Sequence, residues 1–134
     1  MITNAEYAAA LAALADHLQV HPHLAAVNIE RGSQGGLYLQ VASHTSLGEP
    51  ARTPALIDWA DSLRATNVTA TAFSTPTPSG SVHVHITGSL ADGTPIKVWS
   101  AIDELTAVTN TDGHPIAPPV DLDVLRVLAA PVAA

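Results

Sequence analysis

Cysteine is absent from the 134-residue chain. That removes disulfides, zinc ribbons and thiol catalysis, and leaves the compartment open. Cations are scarce: Arg31, Arg52, Arg64, Arg126 and a single lysine, Lys97. They are scattered, whereas binding nucleic acid by phosphate neutralisation needs clustered Lys and Arg. A DNA- or RNA-binding role is therefore not expected. An acidic mimic of DNA is equally unsupported. The formal charge is −7, but the twelve acids are spread out and make no dense anionic face. No run approaches the roughly 20 apolar residues of a membrane span. The opening MITNAEY lacks the basic region and apolar stretch of a signal peptide. A soluble cytoplasmic protein with no membrane partner is the expectation. Aromatics are few as well: Tyr7, Tyr38, Trp59, Phe73 and Trp99. With 47% hydrophobic residues, many of them alanine, the core must be built from Leu, Val, Ile and Ala. The length fits one domain, residues 1–134, with a Pro-rich tail at about 109–134.

Helical and strand periods alternate along the chain. Thr3 and Glu6 have capping-box spacing, and Tyr7, Leu11, Leu14 and Leu18 recur as one helical face. The first helix is predicted from about Asn4 to Gln19, ended by Pro22. Leu24 to Arg31 reads as a strand, GSQGG (32–36) as a turn, and Leu37 to about Ser43 as the second arm of a hairpin. Residues 44–52 read as loop. Thr53 has the character of an N-cap, with Pro54 at the first helical position. Leu56, Trp59, Ala60 and Leu63 then form an apolar stripe, with Asp58, Asp61 and Arg64 outward and the helix ending near Ala65. Asn67 to Ser74 alternates as a strand, and TPTPSG (75–80) is a linker or loop tip.

The register of the last hairpin, residues 81–103, follows from its turn. A two-residue Asp-Gly loop would mix polar and apolar residues on both faces. A three-residue loop, Ala91 to Gly93 with Gly93 left-handed, pairs Leu90 with Thr94. Ile86 then opposes Val98, Val84 opposes Ser100, Thr87 opposes Lys97, and His85 opposes Trp99, so apolar residues share a face. His85 is expected to pack on the Trp99 indole. Residues 27–43 also align without gaps to 84–100, and convergence of two hairpins is preferred over duplication. In the tail, 109–119 is turn-rich. Asp121 is expected to cap a short helix from Leu122 to Ala130, with Leu125 and Leu128 docking it, although alternation at Val120, Leu122 and Val124 leaves a strand open. The fold class is α+β: a single domain with two helices packed on one face of a largely antiparallel five-stranded sheet (helix, hairpin, helix, three strands) and a short C-terminal helix.

Seven histidines stand out: His17, His21, His23, His44, His83, His85 and His114. His83 and His85 are two apart in a strand, so both point to one face about 7 Å apart. That suits a divalent metal, but a third ligand has no fixed spacing and no complete motif exists. The blander reading, a solvated strand face, is preferred, with no cofactor. His17 and His21 fall at a helix C-terminus, where the dipole favours cations. There is no G-x-S-x-G elbow. Asp103-Glu104 and Asp121/Asp123 read as structural, and GSQGG lacks the Lys and helix of a phosphate loop. No catalytic residue is assigned, and the sequence leans away from an enzyme. The uncovered sheet face carries threonines among Tyr38, Phe73, His85, Lys97 and Trp99, a composition suited to protein binding. A homodimer through this face is compatible with it.

At V-H-V-H-I-T-G-S-L-A-D-G-T-P-I-K-V-W, residues 82–99, the chain resembles small uncharacterised proteins of actinobacteria, their phages and mobile elements. Those pair an N-terminal Ala/Leu helix ending in a His-Pro step, here His21-Pro22, with a later hairpin carrying G-x-P-[IV]-x-V-W, here Gly93 to Trp99. The resemblance carries no activity or site residues. It implies a small soluble accessory protein of a phage or mobile element. Taken with the outer sheet face, the expected role is binding a partner, such as a host protein in the host cytoplasm, with a virion structural subunit as an alternative.

Overall fold

The computed structural model describes residues 3–24, 27–32, 36–41, 49–64, 67–72, 82–102, 108–117 and 119–129. Helix α1 runs Asn4–Val20. Its start is fixed by the expected capping box: the Glu6 amide donates to Thr3 Oγ1 at 3.1 Å and the Thr3 amide to the Glu6 carboxylate at 3.4 Å. The chain leaves the helix at His21, whose N–H still bonds the His17 carbonyl, just before Pro22.

Strands β1 (Val27–Arg31) and β2 (Leu37–Val41) form the first hairpin, with Ile29 opposite Leu39. Between them the Gly32 N–H bonds the Gly36 carbonyl at 3.1 Å, and Gly36 sits at φ +80. A Cβ there would lie 2.3 Å from the Pro95 carbonyl oxygen, so the position demands glycine twice over. Residues 42 and 43 lie outside the described residues.

Helix α2 spans Glu49–Leu63, five residues longer at its start than the Thr53 cap implies. Pro50 occupies the first turn, where its missing N–H does no harm. Pro54 therefore lies inside the helix, where it cannot donate a bond to the Pro50 carbonyl. Thr53 is not a cap. It is 1% exposed, and its hydroxyl has no hydrogen-bond partner among the described residues. Trp59, Leu56, Ala60 and Leu63 are buried as their spacing predicts, and Asp58, Asp61 and Arg64 are exposed. The helix stops at Leu63 because Arg64 turns left-handed, at φ 52.

Strand β3 is Asn67–Ala72, β4 is Val82–Ser89 and β5 is Pro95–Ile102. The β4–β5 register is the three-residue-loop register. Ile86 faces Val98, His85 faces Trp99, the Leu90 amide donates to the Thr94 carbonyl at 2.9 Å, and Gly93 is at φ +90. Sheet order is β1-β2-β5-β4-β3, antiparallel except for the central parallel pair β2–β5, where Leu39 meets Val98. The last strand pairs before the two loops, Arg31 with Leu37 and Ser89 with Pro95, correspond one residue off the gapless sequence match. The sequence match itself keeps faces in step, buried Leu39 with Ile96 and Val41 with Val98, which alternation alone gives any two hairpins, so it does not separate duplication from convergence.

Inward residues of β2, β4 and β5, such as Leu39, Ile86 and Val98, are fully buried beneath the helices, in one cluster with Leu14 and Trp59. Helix α2 lies over β4 and β5. The N-terminal part of α1 reaches β1, where Arg31 lies 4.3 Å over the Tyr7 ring and bonds the Asn4 side chain. The tail folds more than its composition announces. β6 (Val108–Thr109) and β7 (Pro115–Ile116) form a small hairpin around Asn110, whose side chain accepts from the Asp112 and His114 amides at 2.9 Å. Helix α3 (Leu122–Ala129) follows, capped by Asp121, whose carboxylate accepts from the Val124 amide at 2.9 Å. Leu125 buries completely, and Arg126 pairs with Asp61 at 2.6 Å, tying α3 to α2. No helix among the described residues is long and apolar enough to cross a membrane.

Candidate binding face

Alternation puts every second residue of β2, β4 and β5 on the face away from the helices. The pairings set them in rows. Glu30, Tyr38, Lys97 and Thr87 follow one another across the sheet; one step on come Asn28, Gln40, Trp99, His85 and Thr69. His83 follows beside Ala101. Trp99 is the hub. Its ring stacks on His83 with centroids 4.5 Å apart and planes 26° from parallel. Tyr38 and His85 flank it at 6.1 Å each. The expected indole partner was His85; the stacked ring is His83, two residues along β4 on the same face. A pleated strand leans its side chains along its axis, so the closest ring need not belong to the residue directly opposite.

His85 has a different partner. Its Nε2 is 2.9 Å from the Tyr38 hydroxyl, a bond that passes over the intervening β5. Tyr38 has the reach for it, and the parallel β2–β5 register points it the right way. Burial pushes the His85 pKa down to about 4, with Lys97 and then His83 adding to the effect. Burial also lowers that of His83. The Tyr38 phenol moves up, through burial and then the nearby Glu30 carboxylate. At neutral pH the cluster is thus an uncharged network of two imidazoles, a phenol and an indole, with exposed Lys97 at its edge. Among the described residues the indole Nε1 of Trp99 is itself buried with no hydrogen-bond partner, a costly arrangement for a donor.

Of the residues singled out from the sequence, Tyr38, His83, His85, Lys97 and Trp99 come together on this face. Phe73 and His44 lie outside the described residues. His83 and His85 share the face as a metal pair would. Among the described residues, no third His, Cys, Asp or Glu joins any such pair in a group able to hold a metal ion. The Tyr38–His85 bond was not legible from spacing, because no sequence period reports which distant strand lies next to β2.

His17 is not the dipole-bound cation its position suggests. His17 has its pKa lowered, by burial first and by His21 second. Its Nε2 is 3.0 Å from Ser62 Oγ, and Ser62 Oγ donates to the Trp59 carbonyl at 2.8 Å. The serine proton is thereby committed to the backbone, so His17 donates and Ser62 accepts. This is the reverse of the polarity a nucleophilic serine needs. The contact pins α1 to α2. Compared with protein-family models, curated proteins and solved structures, the chain matches none.

Proposed function

We propose that the protein is a binding module, an accessory protein of phage or mobile-element type, that engages a protein partner through the outer sheet face. Trp99, Tyr38, His83 and His85 form the centre and Lys97 part of the rim. The observation that carries this reading is the aromatic and imidazole cluster itself. Four rings are gathered, held neutral and only half-buried on a face with no helix above it among the described residues. Interfaces favour such large, stiff, weakly charged groups because they bury area at little entropic cost. The test is affinity capture from host lysate with wild type, Trp99→Ala and a helix-side control, Asp58→Ala. A polypeptide retained by wild type and Asp58→Ala but lost from Trp99→Ala, with the circular dichroism unchanged, supports the reading. Equal retention by Trp99→Ala sinks it.

Metal binding at His83 and His85 is the second reading, favoured by two neutral imidazoles on one face. A metal would take His85 at Nδ1 or displace Tyr38 from Nε2. Thermal melts with EDTA, zinc, nickel and manganese decide it. A ligand at a hundred times its Kd raises stability by about 2.7 kcal/mol, and a true site loses that shift in the His83→Ala/His85→Ala variant.

A further inference from the structure

On the helix side of the molecule, at the end of the sheet where β4 turns into β5, lies a cavity of about 470 Å³. That volume is within the range of small-ligand sites. We infer that this cavity is a binding site for an alkylammonium group: a primary amine on a short apolar stem.

The walls come from three places. The last turns of α1 supply Asp16 and His17, the end of α2 supplies Leu63 and Arg64, and the β4–β5 turn supplies Leu90 and Asp92. The floor is apolar, since Leu63 and Leu90 are only 7% and 4% exposed. The rim is polar and its charge is biased. Asp16 and Asp92 are acids, and Arg64 is the one Lys or Arg among the described lining residues. Two helices also end here, each presenting the carbonyl end of its dipole, equivalent to about half a negative charge. Hydrogen bonds from Thr94 hold the Asp92 carboxyl below its ordinary range, so it stays ionised. His17 and Ser62 satisfy each other and the Trp59 carbonyl, and add no charge. The balance is negative over an apolar floor, which matches a cationic head on a hydrocarbon stem and repels a carboxylate. The same head group occurs on free amines and on a lysine side chain of a partner protein.

The experiment is an amide NMR titration of the full chain at pH 8, above the ordinary imidazole range. The probes are n-butylammonium, Nα-acetyl-lysine amide and sodium butyrate. The expected result is saturable shifts from the cation probes at Ala13 to His21, Ser62 to Arg64 and Ser89 to Asp92, with none from butyrate. Tighter binding of n-butylammonium identifies a free amine as the natural ligand, and tighter binding of the lysine amide a side chain. Asp16→Asn, on an exposed helix position, should weaken binding about two- to fivefold, the scale of a rim charge, and Arg64→Gln should tighten it similarly. Two results overturn the assignment: no saturable shift at these residues, or butyrate shifting them as strongly as butylammonium.

Discussion

The two faces of the sheet are made from the same strands and obey different rules. In β4, Val82, Val84 and Ile86 point inward and are fully buried, while His83, His85 and Thr87 point outward and remain half-exposed. The inner face is aliphatic and its partners are interchangeable: any residue of the right size and polarity packs beneath α2. The outer face is built from specific pairs, Tyr38 with His85 and His83 with Trp99, each fixed by ring orientation and a particular register. One face stores stability. The other stores geometry.

The sharpest test of that contrast is Ile86→Ala, which should cost about 2–5 kcal/mol in urea denaturation by leaving a cavity under the helices. A loss below 1 kcal/mol would mean the inner face is not close-packed. On the outer face, acid should act through His85. Folded His85 has a pKa of about 4, below that of an unfolded histidine, so between those values the unfolded chain binds more protons. Its contribution is therefore complete above about pH 6.5 and is lost as pH falls toward 4. The ring is half-exposed, so screening limits the loss to roughly 1–2 kcal/mol. Denaturation midpoints from pH 7 to 4 should show the decline, and His85→Gln should flatten it. An unchanged slope in that variant would assign the acid sensitivity elsewhere. Smaller again, Tyr38→Phe should cost about 0.5–1.5 kcal/mol, the net value of one hydrogen bond, and should move the His85 resonance in an NMR pH titration. Thr87→Ala, next to Ile86 but outward, should change stability by no more than about 0.5 kcal/mol. A large Thr87 effect would erase the distinction between the faces.

The same contrast explains what could be read in advance. The β4–β5 register was legible because Ala91-Asp92-Gly93 permits one loop that keeps Val84, Ile86 and Val98 on a common side. The α2 stripe was legible from its helical spacing. The start of α2 was not, because Pro54 looks like a first-turn proline until Pro50, four residues earlier, is seen to hold that place. The outer cluster was half legible. Alternation put Tyr38, His85 and Trp99 on one face, but pairing between distant strands leaves no mark in local spacing, so the hydrogen bond and the identity of the stacked histidine stayed hidden. His17 was misread for a related reason. Its position near a helix end was visible, whereas its burial against α2 and Ser62 was not.

The parallel seam between β2 and β5 has a consequence for how the chain reaches this structure. Each hairpin needs only its own turn, but the seam joins Leu37 to Ile96, roughly sixty positions later. Closing so long a loop costs entropy before the contact returns any gain. The two hairpins can therefore form early and independently, and zipping β2 onto β5 completes the sheet. Only then do Tyr38 and His85, carried in on opposite sides of that seam, come within reach of each other. The hydrogen bond across the outer face thus reports on the union of the two hairpins: it exists only in chains in which β2 and β5 have joined.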